Sequence, residues 1–246
     1  MRHSLLCNIA MGIIACIASG IRADLMTFVG TNDMHVLAGF DDTTKADTVQ
    51  TGNRTVRGNS ANFLWKTYMR FDISSLPFGA TITNVSFTVQ SNNSAADSIN
   101  LYGILDEAPN ENYDPAILTY NNAPGHVPAI YNIAGTFVSD NAGMDTNTSS
   151  FFGNLGSSSV SVAQPGNRYT YTVSNSQLAT FVGADSNGII TMALTPDEGQ
   201  AAAQFFIPGN GGDETVLNVY YIPEPGTMSL VFIGAICWWI RRRTGE

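Results

Sequence analysis

Apolar and polar residues alternate along much of the chain between residues 24 and 222. Val85, Phe87 and Val89 alternate with Ser86, Thr88 and Gln90; Tyr169, Tyr171 and Val173 alternate with Thr170 and Thr172; Leu217, Val219 and Tyr221 repeat the pattern near the end. A period of two marks a strand with one face buried. Phe63–Ile73 reads as a longer strand, and Met34–Phe40, Ser98–Leu105, Ile130–Val138, Ser159–Ala163, Ile189–Leu194 and Gln204–Ile207 complete the set. Turn-forming clusters separate them: Asn92-Asn93-Ser94, Asn121 to Gly125, Gln164 to Asn167, and Pro208 to Gly212. One short helix is expected after Ser174 or Asn175, either of which can cap it, with Leu178, Phe181 and Val182 at helical spacing. Nothing repeats at a fixed period. Residues 140–158, rich in Gly, Ser, Asn and Thr, read as a loose stretch. The pattern predicts an all-β fold, a jelly-roll-like β-sandwich of roughly ten strands with one short helix.

The two ends follow different rules. Met1-Arg2-His3 precedes an apolar run from Leu5 to Ala18, which is the pattern of a secretory signal peptide over 1–23 with the mature chain starting at Asp24; a cut after Gly20 is the alternative. Ile13-Ile14-Ala15-Cys16 also fits a lipobox, in which Cys16 is lipidated, although the apolar run continues past it. At the other end Pro223-Glu224-Pro225 stops any strand or helix. The uncharged run that follows lies within 226–240 and ends at Arg241-Arg242-Arg243, with Trp238 and Trp239 beside the arginines. Aromatic residues at an interface and arginines on the cytoplasmic side give a short transmembrane helix with the bulk of the chain outside. The expected organisation is therefore a signal helix at 1–23, a β-sandwich domain at 24–222, and a tail at 223–246.

Composition sharpens this division. The 246 residues carry a formal charge of −9, but between Asp24 and Ile222 there are six basic and eighteen acidic residues, so the domain itself stands at −12. Such a surface repels phosphate backbones and argues against nucleic-acid binding. The three cysteines are Cys7, Cys16 and Cys237, all in the end segments, so the domain has no disulfide, thiolate metal site or cysteine nucleophile. Only 13% of residues are charged, and the abundance of Asn, Ser and Thr excludes a coiled coil or helical bundle.

Candidate chemistry is sparse. No zinc-protease, nucleophile-elbow or phosphate-loop motif occurs. His35 and His126 read as structural or surface residues rather than catalysts. Asp106-Glu107 and the pair Glu111 and Asp114 are the nearest acidic clusters, and read as solvated turn residues. Oxygen-rich positions Asp33, Asp41 and Asp42 fit a structural calcium ion, the one cofactor the residues point to. Sugar binding needs aromatic faces beside planar polar groups. Tyr113 and Tyr120 stand in or near Asn-rich loops, and Arg54, Arg57, Lys66 and Arg70 form a basic region suited to an anionic glycan. Tyr113, Tyr120 and Arg70 are the carbohydrate-binding candidates.

Two resemblances give these residues a context. Pro223-Glu224-Pro225, the short apolar segment and Arg241-Arg242-Arg243 resemble the PEP-CTERM sorting tail. That resemblance implies a Gram-negative-type bacterium that exports a polysaccharide matrix, transient membrane insertion, and cutting near the Pro-Glu-Pro by an exosortase-type transpeptidase. The segment Tyr68-Met69-Arg70-Phe71-Asp72-Ile73-Ser74-Ser75-Leu76-Pro77, then Gly79 to Val85, resembles the central signature of DNRLRE-type domains, carbohydrate-binding-module-like surface modules related to disaggregatase repeats. Thr119 to Pro124 and Asn187 to Leu194 resemble later parts of the same pattern, with Tyr120 where that family has Trp. The naming hexapeptide is absent, and so is the proline often seen before the final strand. The second resemblance implies a β-sandwich that binds polysaccharide or builds surface layers.

Physically, Met69, Phe71 and Ile73 share one face of their strand and should meet the core, while Tyr68, Arg70 and Asp72 share the other. Asp72 should start a turn with Ser74 and Ser75. The sequence thus leads to an exported, non-catalytic surface or matrix protein binding or organising extracellular polysaccharide. The alternatives are a polysaccharide lyase or glycoside hydrolase on a jelly-roll fold, and a purely structural surface-layer protein.

Overall fold

The computed structural model describes residues 22–37, 54–56, 65–91, 99–114, 118, 122–126, 130–131, 137–139, 144–155, 159–164, 168–196, 203–205 and 215–224. The signal segment and the residues from Pro225 onward, including the proposed transmembrane run, lie outside them. Among the described residues no helix is long and apolar enough to cross a membrane.

The described chain is mostly β. Its strands are β1 (Asp24–Val29), β2 (Thr31–Leu37), β3 (Arg54–Val56), β4 (Trp65–Asp72), β5 (Thr81–Ser91), β6 (Ile99–Ile104) and β7 (Ile130–Tyr131). Then follow β8 (Phe137–Ser139), β9 (Ser149–Asn154), β10 (Ser159–Gln164), β11 (Arg168–Val173), β12 (Ile189–Pro196), β13 (Ala203–Phe205) and β14 (Val216–Ile222), with one helix, α1 (Ser176–Ala184), between β11 and β12. One sheet runs β1-β14-β5-β11-β10, with β13 attached to β5 and β3 to β13; the second runs β2-β4-β12-β6-β9; β7 and β8 pair separately. Every register is antiparallel. The chain passes repeatedly between the two sheets: β1 to β2, β4 to β5, β5 to β6, β9 to β10, and β11 through α1 to β12.

One apolar cluster draws on both sheets. Phe28, Val85, Phe87, Val89, Tyr171, Val173, Leu217 and Val219 come from the first, and Met69, Phe71, Ile99, Leu101, Phe152, Ile190, Met192 and Leu194 from the second. Phe71 and Phe87 meet edge-on at 6.2 Å between ring centroids. These are the alternate positions of each strand, so the period of two is what separates core from surface. Gly103 sits opposite Met192 and leaves room for two rings: a Cβ there would lie 2.6 Å from both Phe152 and Phe181.

The helix forms as its sequence dictates. Asn175 caps it, its Oδ1 accepting from the Leu178 amide at 2.9 Å, while its Nδ2 donates to the Phe152 carbonyl at 2.7 Å and ties the cap to β9. Leu178 and Val182 enter the common core, and Phe181 packs edge-on against Phe152 with centroids 5.1 Å apart.

Three expectations are revised. Residues 140–158 are not a loose stretch throughout, because Ser149–Asn154 is the edge strand of the second sheet and Phe152 is buried in the core. Its phenylalanines are adjacent rather than alternating, and of the two only Phe152 anchors it. Where a single strand was expected over Ile130–Val138, two short strands, β7 and β8, pair antiparallel. Asp24–Val29 and Arg54–Val56 are additional strands; the first begins where the mature chain was expected to begin.

Candidate functional site

The strand β4 carries the signature Tyr68 to Asp72 and alternates as its composition requires. Met69, Phe71 and Ile73 point into the common core. Asp72 Oδ1 accepts from the Ser74 amide at 3.0 Å, so the expected turn is formed. Hydrogen bonds from Ser74 hold the Asp72 carboxyl below its ordinary range, with a smaller contribution from the charge of Arg70.

The opposite face of this sheet is not left to solvent. A second apolar cluster covers it: Tyr68, Ile104 and Ala193 from the strands, and Ala108, Tyr113, Leu118, Ala123 and Met144 from the connections that follow β6 and precede β9. Two of the three predicted carbohydrate-binding residues meet here. Arg70 Nη1 donates to Asn112 Oδ1 at 2.6 Å and to the Tyr113 carbonyl at 2.9 Å, and its guanidinium lies 5.4 Å from the Tyr113 ring centroid. Tyr113 is only 3% exposed and packs edge-on against Tyr68 at 6.2 Å. Its ring faces are engaged within the protein, so in this arrangement Arg70 and Tyr113 fasten the connection to the sheet.

Beside them, Lys66 is fully buried, so it contributes nothing to the exposed basic region the sequence pointed to. Its Nζ donates to His126 Nδ1 at 3.2 Å and contacts Met144 Sδ at 3.9 Å, as does the Tyr68 hydroxyl. Burial, reinforced by the Lys66 charge, pushes His126 down to about 3.

Glu111 is a correction of another kind. It is 3% exposed, not a solvated turn residue. Its Oε2 accepts from Asn187 at 3.1 Å, and its carbonyl accepts from the Thr191 hydroxyl at 2.9 Å. Burial raises it to about 7, with the nearby Asp106 and Asp185 charges adding to the rise. Burial and Asp106 raise Asp185 as well. Glu111 Oε1 and Asp185 Oδ1 are buried without a hydrogen-bond partner among the described residues. No group of three or more His, Cys, Asp or Glu among those residues is arranged to hold a metal ion.

The first sheet presents a different surface. Its outward positions carry Thr27, Asn84, Ser86, Thr88, Thr172, Asn218 and Tyr220, joined by side-chain bonds such as Thr27 to Asn218 at 2.7 Å and Thr88 with Thr172 at 3.1 Å. These are uncharged hydroxyls, amides and one phenol on a continuous run of neighbouring strands, with the apolar Leu25, Val29 and Val216 on the same face. The sequence held the signal, as the polar half of each alternating segment, but it was read only as the mark of a strand.

Pro223 and Glu224 of the expected sorting motif follow β14 directly and are exposed. Pro225, Arg241, Arg242, Arg243, Tyr120, Asp41 and Asp42 lie outside the described residues; Asp33 lies on β2, but its side chain is outside them. A scan against protein-family models finds no match for the chain, and a search of curated proteins finds none either.

Proposed function

We propose that the chain is an exported, non-catalytic surface or matrix protein that binds or organises extracellular polysaccharide. Its domain is a jelly-roll-like sandwich of the DNRLRE type, and its tail is sorted by an exosortase-type transpeptidase. The observation that carries the reading is the uncharged outer face of the first sheet. Neutral polysaccharide presents rows of hydroxyls and weakly apolar ring faces; hydroxyl and amide groups match the first, and an aromatic such as Tyr220 the second. A domain at −12 whose described face here bears no charge concentrates its acids elsewhere. The position of Pro223 and Glu224, exposed at the end of the last strand, supports sorting, because a processing enzyme can reach the motif without unfolding β14.

The test is binding of purified residues 24–222 to a polysaccharide array that includes matrix from a bacterium of this type. The expected result is retention that falls at least severalfold in Asn218→Ala and Tyr220→Ala while the thermal midpoint is little changed. No retention on any polysaccharide, with calcium present, overturns the binding reading and leaves a structural surface-layer protein. The lyase or hydrolase alternative draws on Glu111, since a carboxyl raised to about 7 is suited to general-acid work. Its burial keeps substrate from that proton, and this is why the binding reading is preferred.

A further inference from the structure

The two ends of the domain leave it at the same place. Asp24 pairs with Tyr221 and Thr81 with Ile222, so the start of β1, the end of β14 and the turn between β4 and β5 share one end of the first sheet. Glu224 folds over that turn: a Cβ on Gly79, whose φ is +76°, would lie 2.6 Å from Glu224 Cδ. The neighbouring residue, Phe78, is fully exposed. Three large apolar side chains stand out as exposed among the described residues: Leu25, Phe78 and Phe151. Phe151 lies against Tyr102, with ring centroids 5.2 Å apart. Leu25 and Phe78 both lie at the end where the chain departs. Two residues beyond Glu224 begins the run 226–240, uncharged and closed by three arginines.

We propose that this end of the domain rests on a lipid bilayer, with Phe78 entering the headgroup region and Leu25 beside it. The inference rests on the transient membrane insertion of the tail that the sorting in the proposed function implies. While the tail is inserted, Glu224 is at the bilayer surface, and the turn that touches Glu224 is there too. An aromatic ring gains free energy at such an interface that it cannot gain in water. Asp24, Asp72 and Glu224 are also at this end, so the contact is apolar and does not depend on anionic lipid. The grooves near this end offer less to a soluble ligand. One of about 500 Å³ runs beside Phe78, but along it Asp185 Oδ2 and the side chains of Ser186 and Asn187 are already engaged by the Gly188 amide, Asp106 and Glu111, and Asp185 Oδ1 is buried.

The test uses the full chain reconstituted in phosphatidylcholine vesicles, with single nitroxide labels in an otherwise cysteine-free background. Labels are placed at Phe78→Cys, at Phe151→Cys, and at native Cys237 within the tail. Accessibility to oxygen, which enters bilayers, is compared with accessibility to a water-soluble nickel chelate. The expected result is an oxygen-to-nickel ratio at 78 severalfold above that at 151, unchanged by salt, with the highest ratio at 237. A bilayer-embedded 237 with a water-like 78 overturns this inference and leaves the tail reading standing. A water-like 237 overturns both.

Discussion

The two sheets treat their outer faces differently. Along β14 in the first sheet, buried and half-exposed positions alternate strictly, because one face meets the core and the other meets solvent. Along β12 in the second sheet every residue after the first is buried, because the core lies on one side and the connections around Tyr113 and Met144 on the other. A strand covered on both faces usually reads as a continuous apolar run. Here it does not: the covered face holds Lys66, Thr191 and Thr195 beside Tyr68 and Ala193. The difference separates a dry core that supplies stability from a second, polar interior in which charged groups are held at a cost.

The sharpest way to break this contrast is to cut into the common core. Phe71→Ala should cost about 3–5 kcal/mol, since a ring enclosed by both sheets leaves a cavity that neighbours fill poorly. Urea denaturation checks it; a loss below about 1 kcal/mol would mean the two sheets do not share a core. Gly103→Ala adds a methyl where two rings already converge and should cost about 1–3 kcal/mol in the same measurement.

The polar interior predicts a pH signature instead. A carboxyl whose pKa rises on folding holds its proton more tightly in the folded chain. The contribution of Glu111 is therefore greatest below about 4.5 and is lost as pH climbs to about 7. His126 works in the opposite direction. Its folded pKa is depressed from 6.5 to about 3, so its contribution is present above 6.5 and is lost as pH falls toward 3. Glu111→Gln should raise stability at pH 8 by about 1–3 kcal/mol and remove the decline between 4.5 and 7. Thermal midpoints of both proteins across pH 4–8 decide this, and parallel curves would refute it. Smallest is Asn175→Ala, which should cost about 1 kcal/mol by removing the helix cap and its tie to Phe152, read from the same denaturation curves.

Legibility followed the same division. The alternating strands, the inward set Met69, Phe71 and Ile73, the turn at Asp72 and a helix cap at Ser174 or Asn175 were all readable, because each depends on residues close in sequence. The second interior was not. Lys66, Glu111 and His126 are residue types that ordinarily face water, and their burial depends on contacts such as Lys66 with His126, 60 residues apart. Arg70 and Tyr113 were singled out separately for sugar binding; their pairing came only with the fold. β9 was hidden for a related reason, since its two adjacent phenylalanines, Phe151 exposed and Phe152 buried, break the apolar–polar alternation within a run of Ser, Gly and Asn.

In the function proposed above, the two flanking segments are addresses and what lies between them works outside the cell. Mass spectrometry of the protein recovered from the extracellular matrix of its native cell tests that most directly. The expected mature chain starts at Asp24 and ends near Pro223-Glu224-Pro225. A recovered chain that still carries Arg241-Arg242-Arg243 would contradict it.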